Sequence, residues 1–165
     1  MSKKSCNFAA ELSFVSMNKQ ETYLQLLPQI RALIAGEQDM IANMANIVAA
    51  LHEAFGFWWT GFYRVSDDML VLGPFQGPIA CTRIPHGRGV CGTAWAQGQT
   101  IIVPNVHEFA GHIACSDASN SEIVVPIRSS GRVIAVLDID STDYNAFDST
   151  DQYYLEQVAV ILSVG

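Results

Sequence analysis

The chain has 165 residues, half of them hydrophobic, and 9 Lys and Arg residues stand against 16 Asp and Glu residues. A chain of this length and composition builds one domain and can bury a core without disulfides. Its net charge of -7 argues against a nucleic-acid partner, and no apolar run is long enough for a signal peptide or a membrane span. We therefore expect a soluble, cytoplasmic protein.

The N-terminal third predicts an extension followed by two helices. Residues 1–16 have no clear period and predict a flexible extension, so the single domain is expected over residues 17–165. An amphipathic pattern after Met17 predicts the first helix. The second is predicted to begin after an N-cap at Asp39 and to end at Gly56.

The remainder reads mainly as short strands rich in β-branched and aromatic residues. The predicted strand runs are FWWTGFYRV, MLVLGPFQG, TIIVPNV, EIVVPIR and RVIAVLDID. GVCGTAWAQG predicts a short helix between them, and DSTDQYYLEQVAVILSV predicts a last helix capped by Asp148. This order predicts an α+β domain with a mostly antiparallel sheet and helices on one or both of its faces.

Three cysteines are candidates for chemistry. Cys115 lies in HIACSDASNSE, whose small and polar residues predict a loop, and Cys81 also follows turn-forming residues. Loop placement gives both thiols the access that a dithiol relay needs. Cys91 is predicted near the start of a helix, where the dipole is expected to lower its pKa. Cys81 and Cys91 can equally be packed thiols without a role.

A zinc site is the competing interpretation. His107 and His112 lie close to Cys115 in sequence, and Cys91 could complete a tetrahedron. The histidine pair is the only knuckle-like spacing, and it falls on a predicted loop. Either histidine could instead tune a neighbouring thiolate.

Three acids are candidates for binding a cation. Asp138 and Asp140 are two residues apart at the end of a predicted strand, so their side chains are expected on one face. Glu122 opens the preceding strand and could join them. Close carboxylates away from water need a metal ion, a basic side chain or a ligand ammonium between them. The alternative is that one aspartate caps a turn and the other faces water. The spacing is not that of a calcium loop.

An aromatic strand could line a pocket. Strict alternation places Trp59, Gly61 and Tyr63 on one face of the predicted strand, and Trp58 and Phe62 on the other. Large aromatic residues usually belong to the core. One of these faces could nevertheless wall an apolar pocket for a thioether or methyl group.

The motifs GFYRV, LVLGPFQGPIACTRIPHGRGVCGTAW, HIACSDASNSEIVVPI and VIAVLDIDS together resemble the free methionine-(R)-sulfoxide reductases. The resemblance spans about residues 17–162. It implies a GAF-like α+β fold with a central sheet of about six strands, and a free methionine sulfoxide substrate. It also implies that Glu122, Asp138 and Asp140 bind the substrate ammonium, and that Trp59 and Tyr63 form the wall for its methyl group.

The resemblance also implies roles for the thiols. Cys115 would attack the sulfoxide and become a sulfenic acid, and Cys81 would resolve it to a disulfide that a thioredoxin-type reductant reopens. Cys91 would exchange with this pair or offer a second route. No bound cofactor or metal is implied, and a GAF fold is compatible with a homodimer. The alternative from another class is a GAF module that binds a small ligand without converting it.

Overall fold

A computed structural model of the protein describes residues 18–113 and 117–163. These residues form α-helices, β-strands and one 3-10 helix. In chain order they are α1 (Lys19–Ile34), α2 (Met40–Phe55), β1 (Trp59–Ser66), β2 (Met69–Gln76), β3 (Arg83–Pro85), α3 (Gly89–Gln97), β4 (Ile101–Val103), the 3-10 helix (Val106–Glu108), β5 (Ser121–Ser129), β6 (Arg132–Ser141) and α4 (Ser149–Ser163).

The helix ends follow the predicted capping residues. The Asp39 side chain accepts hydrogen bonds from the backbone N–H groups of Ile41 and Ala42, at 2.8 and 3.0 Å. Gly56 ends α2 in the left-handed conformation, with φ of 64°, which glycine adopts without steric cost. The Asp148 side chain accepts from the N–H of Thr150 and caps α4. The predicted extension, residues 1–16, lies outside the described residues and stays a prediction.

The six strands form one sheet in the order β3-β2-β1-β6-β5-β4, and every neighbouring pair is antiparallel. All five predicted runs are strands. The sixth strand, β3, was not among them, because three residues ending in a proline carry too little periodic pattern. The predicted α+β class with a sheet of about six strands is confirmed.

The two faces of the sheet are covered differently. Helices α1, α2 and α4 pack on one face, where Phe62, Ile123 and Leu137 are fully buried. The other face is covered by α3 and by connecting segments, and it carries a second core that includes Trp59 and Tyr63. The alternation along β1 produces this division. The candidate site lies on the second face.

A buried polar contact joins α1 to α4. Asp151 is inaccessible to solvent and accepts hydrogen bonds from the Tyr23 hydroxyl at 2.9 Å and from Lys19 Nζ at 2.5 Å. Burial, and after it the Asp151 charge, raise the pKa of Tyr23 far above its ordinary value. The phenol therefore remains a hydrogen-bond donor, and the contact holds α1 against α4.

Candidate active site

A pocket opens between the sheet, α3 and the segments before β3 and β5. Apolar and aromatic side chains line it together with a few convergent acids, which is typical of a small-molecule site. Its lining includes Trp58, Trp59, Tyr63, Ile79, Cys91, His112, Ser119, Glu122, Asp138 and Asp140. The three predicted acids, the two predicted wall residues and one of the predicted cysteines therefore lie in one cavity.

The acids are brought together by the pairing of β5 with β6. Glu122 is directly opposite Asp140 in this pair of strands. Asp138 precedes Asp140 by two residues and therefore lies on the same face of β6. Glu122 and Asp138 are only 6% and 7% exposed, and Asp140 is partly buried. The prediction that Asp138 and Asp140 share a face with Glu122 beside them is confirmed. The alternative that they merely face water is wrong.

Burial and mutual repulsion make these acids hold protons unusually tightly. Burial is the largest cause of the raised pKa of Glu122 and of Asp138, and the charges of the neighbouring acids raise both further. Burial also raises the pKa of Asp140 to about 6, although the Ser119 hydroxyl donates a short hydrogen bond to it and partly offsets the rise. The site can therefore offer both proton donors and a carboxylate near neutral pH.

Cys91 lies against the acids at the base of the pocket. It is the third residue of α3 and is 3% exposed, and its Sγ is 4.0 Å from Glu122 Oε1. The expectation that the helix dipole lowers its pKa is wrong. Burial raises the pKa of the thiol well above its ordinary value, and the Asp138 and Glu122 charges raise it further. These effects outweigh the partial charge of a helix end.

The other cysteines differ in what the structure describes. Cys81 is disulfide-bonded, and it packs partly buried against the second core. Its backbone carbonyl accepts a 2.9 Å hydrogen bond from the Tyr63 hydroxyl, which links it to the pocket wall. Cys115 and Cys6 lie outside the described residues, so the predicted role of Cys115 remains a prediction.

The aromatic wall is a stack of rings on β1 and β2. The rings of Trp59 and Tyr63 are 5.9 Å apart, and Phe75 stacks on Trp59 at 5.4 Å. Gly61 makes this stack possible, because a Cβ at that position would collide with the Trp59 indole and the Phe75 side chain. Trp59 Nε1 donates to the Pro78 carbonyl at 3.1 Å. The predicted shared face of Trp59, Gly61 and Tyr63 is confirmed.

The pocket also contains side chains that sequence reasoning assigned elsewhere or omitted. Trp58 was expected on the opposite face, but it precedes β1, so strand alternation does not apply to it and it lines the pocket. Ile79, 91% exposed, lines the same pocket. No periodic signal could have found Ile79, since it lies in an irregular connection.

The histidines behave differently from the predicted zinc pair. His112 lines the pocket with Nε2 3.9 Å from Glu122 Oε2, and burial followed by the nearby His107 lowers its pKa. His107 instead contacts Asn120 at 3.0 Å on the surface. Within residues 18–113 and 117–163, the side chains placed closely enough to share an ion are Cys91, Glu122 and Asp138. That set does not include the predicted histidine pair.

The fold is that of a GAF domain, and the model of the GAF domain family matches residues 35–164. The chain is 52% identical to the free methionine-R-sulfoxide reductase of Escherichia coli (strain K12) over 147 residues, which cover 88% of this chain and 89% of that protein. It is 40% identical to the free methionine-R-sulfoxide reductase of Saccharomyces cerevisiae over 157 residues, 90% of this chain and 87% of that one.

A solved structure agrees with these relatives. The free methionine-R-sulfoxide reductase from Neisseria meningitidis, in complex with its substrate, superposes with a TM-score of 0.89 at 54% identity, covering 92% of each chain. The chain thus belongs to the free methionine-(R)-sulfoxide reductase family of GAF-domain proteins. Among its described helices, none has the length and apolarity needed to cross a bilayer.

Proposed function

We propose that the protein reduces free L-methionine-(R)-sulfoxide to methionine through cysteine chemistry. The observation that carries the proposal is the convergence of three acids and a stacked aromatic wall in one pocket. The substrate has an ammonium group, a polar S=O bond and a methyl group. Acids suit the first, proton donors suit the second, and the Trp59 and Tyr63 rings suit the third.

The acids also favour a free amino acid over a methionine within a protein. A free ammonium group carries a positive charge that can neutralise the Glu122, Asp138 and Asp140 cluster. The amide nitrogen of a peptide carries no such charge and would leave the acids without a counter-ion. Specificity for the free amino acid therefore follows from charge and burial together.

The proposed reaction begins with transfer of the sulfoxide oxygen to a cysteine sulfur of the protein. The Cys115 thiolate attacks the sulfoxide sulfur, the oxygen passes to the cysteine as a sulfenic acid, and methionine leaves. A protonated acid of the cluster donates to the sulfoxide oxygen as its negative charge grows, because the raised pKa values of Glu122 and Asp138 keep protons on them.

A disulfide then completes the turnover. The resolving thiol of Cys81 attacks the sulfenic acid, a disulfide forms and water leaves. A thioredoxin-type dithiol reduces the disulfide and is itself oxidised, so one sulfoxide consumes two electrons and two protons. The disulfide-bonded state of Cys81 supports this role. The proposed partner is Cys115, and re-reduction fits the reducing conditions of the cytoplasm.

Cys91 is unsuited to be the attacking thiolate. Its burial and its acidic neighbours keep it protonated, whereas nucleophilic attack needs the thiolate. We assign it instead to the wall of the pocket, beside Glu122, where a neutral thiol adds no further charge. The proposed reaction uses no bound cofactor or metal.

A single-turnover experiment tests the proposal. Pre-reduced protein without excess reductant is mixed separately with each epimer of L-methionine sulfoxide, and methionine and intact protein mass are measured. We expect about one methionine per chain from the R epimer, a loss of two hydrogens from the protein, and no methionine from Cys115→Ser. Cys6→Ser is the matched control and should retain full yield. Binding of the sulfoxide without any methionine would overturn the proposal and favour a ligand-sensing module.

A further inference from the structure

The base of the pocket holds metal-ligand atoms of mixed chemical type. Cys91 Sγ and carboxylate oxygens of Glu122 and Asp138 lie within 4.8 Å of one another. They come from three elements, α3, β5 and β6, so the fold itself assembles the group. Among the described residues, the pocket lining includes no Lys or Arg that could neutralise the acids.

One oxygen in this group has nothing to bind. Asp138 is 7% exposed, and within the described residues its Oδ1 has no hydrogen-bond partner. A buried carboxylate oxygen without a partner costs free energy, so a cation at this point would remove an existing penalty. This observation is independent of the spacing of the ligand atoms.

The separation of the sulfur from its carboxylate neighbour is close to that around a bound zinc ion. With Zn–S of about 2.3 Å and Zn–O of about 2.1 Å, tetrahedral sulfur and oxygen ligands lie about 3.6 Å apart. Cys91 Sγ is 4.0 Å from Glu122 Oε1, and the donor atoms of Cys91, Glu122 and Asp138 all lie within 4.8 Å of one another. The sulfur–oxygen separation therefore needs to shorten by only about 0.4 Å, which small side-chain rotations can supply.

We propose that this pocket binds Zn²⁺ through Cys91, Glu122 and Asp138, with the fourth position left to water, and that the ion blocks the pocket. A sulfur donor beside carboxylates favours zinc over the all-oxygen sites of Mg²⁺ and Ca²⁺. The ion would occupy the acids that the substrate ammonium needs, so zinc would act as an inhibitor. Metal binding does not depend on the proposed function, whereas inhibition rests on it.

Cobalt provides a direct measurement of the ligand set. Co²⁺ is titrated into the disulfide form of the whole chain, in which Cys81 is not available as a ligand. We expect one ion per chain, the intense visible absorption of tetrahedral cobalt and a sulfur-to-cobalt charge-transfer band, with Zn²⁺ displacing the cobalt. Free L-methionine sulfoxide should also displace it.

Two variants and a control identify the ligands. Cys91→Ser should lose the charge-transfer band and weaken binding by more than the roughly 10- to 100-fold that loss of a supporting residue costs. Asp138→Asn should weaken binding but keep the band, which guards against misfolding of the cysteine variant. Cys6→Ser should bind as the unmodified protein does. A band that survives Cys91→Ser, or no stoichiometric cobalt binding, would overturn the metal site.

The inhibitory effect is measured separately. Zinc added before substrate in the single-turnover experiment should abolish methionine formation, and a chelator should restore it. If cobalt binds through Cys91 but no methionine forms even without zinc, the metal site stands and the proposed function fails. If methionine forms and zinc neither binds nor inhibits, the proposed function stands and the metal site fails. Full methionine yield with zinc bound would overturn the inhibitory role alone.

Discussion

Replacing Asp140 by asparagine should stabilise the protein while it damages substrate binding. The carboxyl pKa rises from an ordinary value of 3.8 to about 6, mainly because the group is buried. A raised carboxyl pKa means that the folded state holds the proton more tightly than the unfolded state. The Asp140 proton therefore makes its full contribution to the free energy of unfolding below about pH 4, and this contribution is lost as the pH rises through about 6.

The magnitude follows from this shift. About two pKa units correspond to at most about 3 kcal/mol at neutral pH, and water screening lowers this figure because Asp140 is only partly buried. Asparagine keeps an oxygen that can accept the Ser119 hydrogen bond but carries no charge. We expect the Tm of the Asp140→Asn protein to be several degrees higher than that of the unmodified protein at pH 7, since each kcal/mol of stability raises the Tm by about 2 to 4 °C. The difference in Tm should vanish near pH 4.

Activity should change in the opposite direction. Losing a hydrogen bond to a charged group costs about 1.5 to 3 kcal/mol, so kcat/KM for the sulfoxide should fall by about 10- to 150-fold. In the unmodified protein, kcat/KM should fall about fivefold between pH 6 and pH 5 as Asp140 is protonated. This step should be absent from Asp140→Asn.

The assay pairs thermal unfolding at pH 4 and pH 7 with a pH profile of kcat/KM. Asp143→Asn is the matched control, because it makes the same change at an exposed position nearby and should alter neither measurement. An Asp140→Asn protein that is less stable than the unmodified protein at pH 7 would refute the reasoning, as would an unchanged kcat/KM.

Three further substitutions test other parts of the fold. Tyr63→Phe keeps the ring but removes the hydrogen bond from its hydroxyl to the Cys81 carbonyl. We expect the free energy of unfolding in denaturant to fall by about 0.5 to 1.5 kcal/mol, and disulfide formation after one turnover to be slower. An unchanged rate of disulfide formation would contradict a positioning role for Tyr63. Gly61→Ala should displace the Trp59 indole and cost about 1 to 3 kcal/mol, visible as changed tryptophan fluorescence, which an undisturbed spectrum would contradict. Asp151→Ala leaves the buried Tyr23 hydroxyl without its acceptor and removes one of the acceptors of Lys19 Nζ, so it should cost about 1 to 3 kcal/mol in urea unfolding, whereas a loss below about 0.5 kcal/mol would mean that the contact is dispensable.

The fold was predictable where local chemistry determines it. Asp39 and Gly56 delimit a helix because one side chain accepts from free N–H groups and the other residue tolerates a left-handed turn. Five of the six strands were predictable because their β-branched and aromatic residues suit a pleated, half-buried surface, and even the three residues of β4 are all β-branched. The equally short β3 was not, since it contains one β-branched residue between an arginine and a proline.

The candidate site was predictable where its residues share a strand. The spacing of Asp138 and Asp140 required a common face, and the structure confirms it. The pKa of Cys91 was not predictable, because its burial and, after it, the acids that raise the pKa depend on strands distant in sequence from α3. Trp58 was misplaced for a related reason. The strand β1 begins two residues later than the run FWWTGFYRV suggests, and periodicity cannot locate that boundary.

The division of β1 between two faces affects how natural variation in this chain should be read. Phe62 supports the helical layer, whereas Trp59, Gly61 and Tyr63 shape the pocket. Neighbouring residues of β1 are therefore expected to be under different selective pressures. Changes at one position alter how much folded protein accumulates, and changes at the next alter what each folded molecule does. In a survey of variants along β1, the effect of a substitution should therefore alternate with a period of two residues, between a change in the amount of folded protein and a change in its activity.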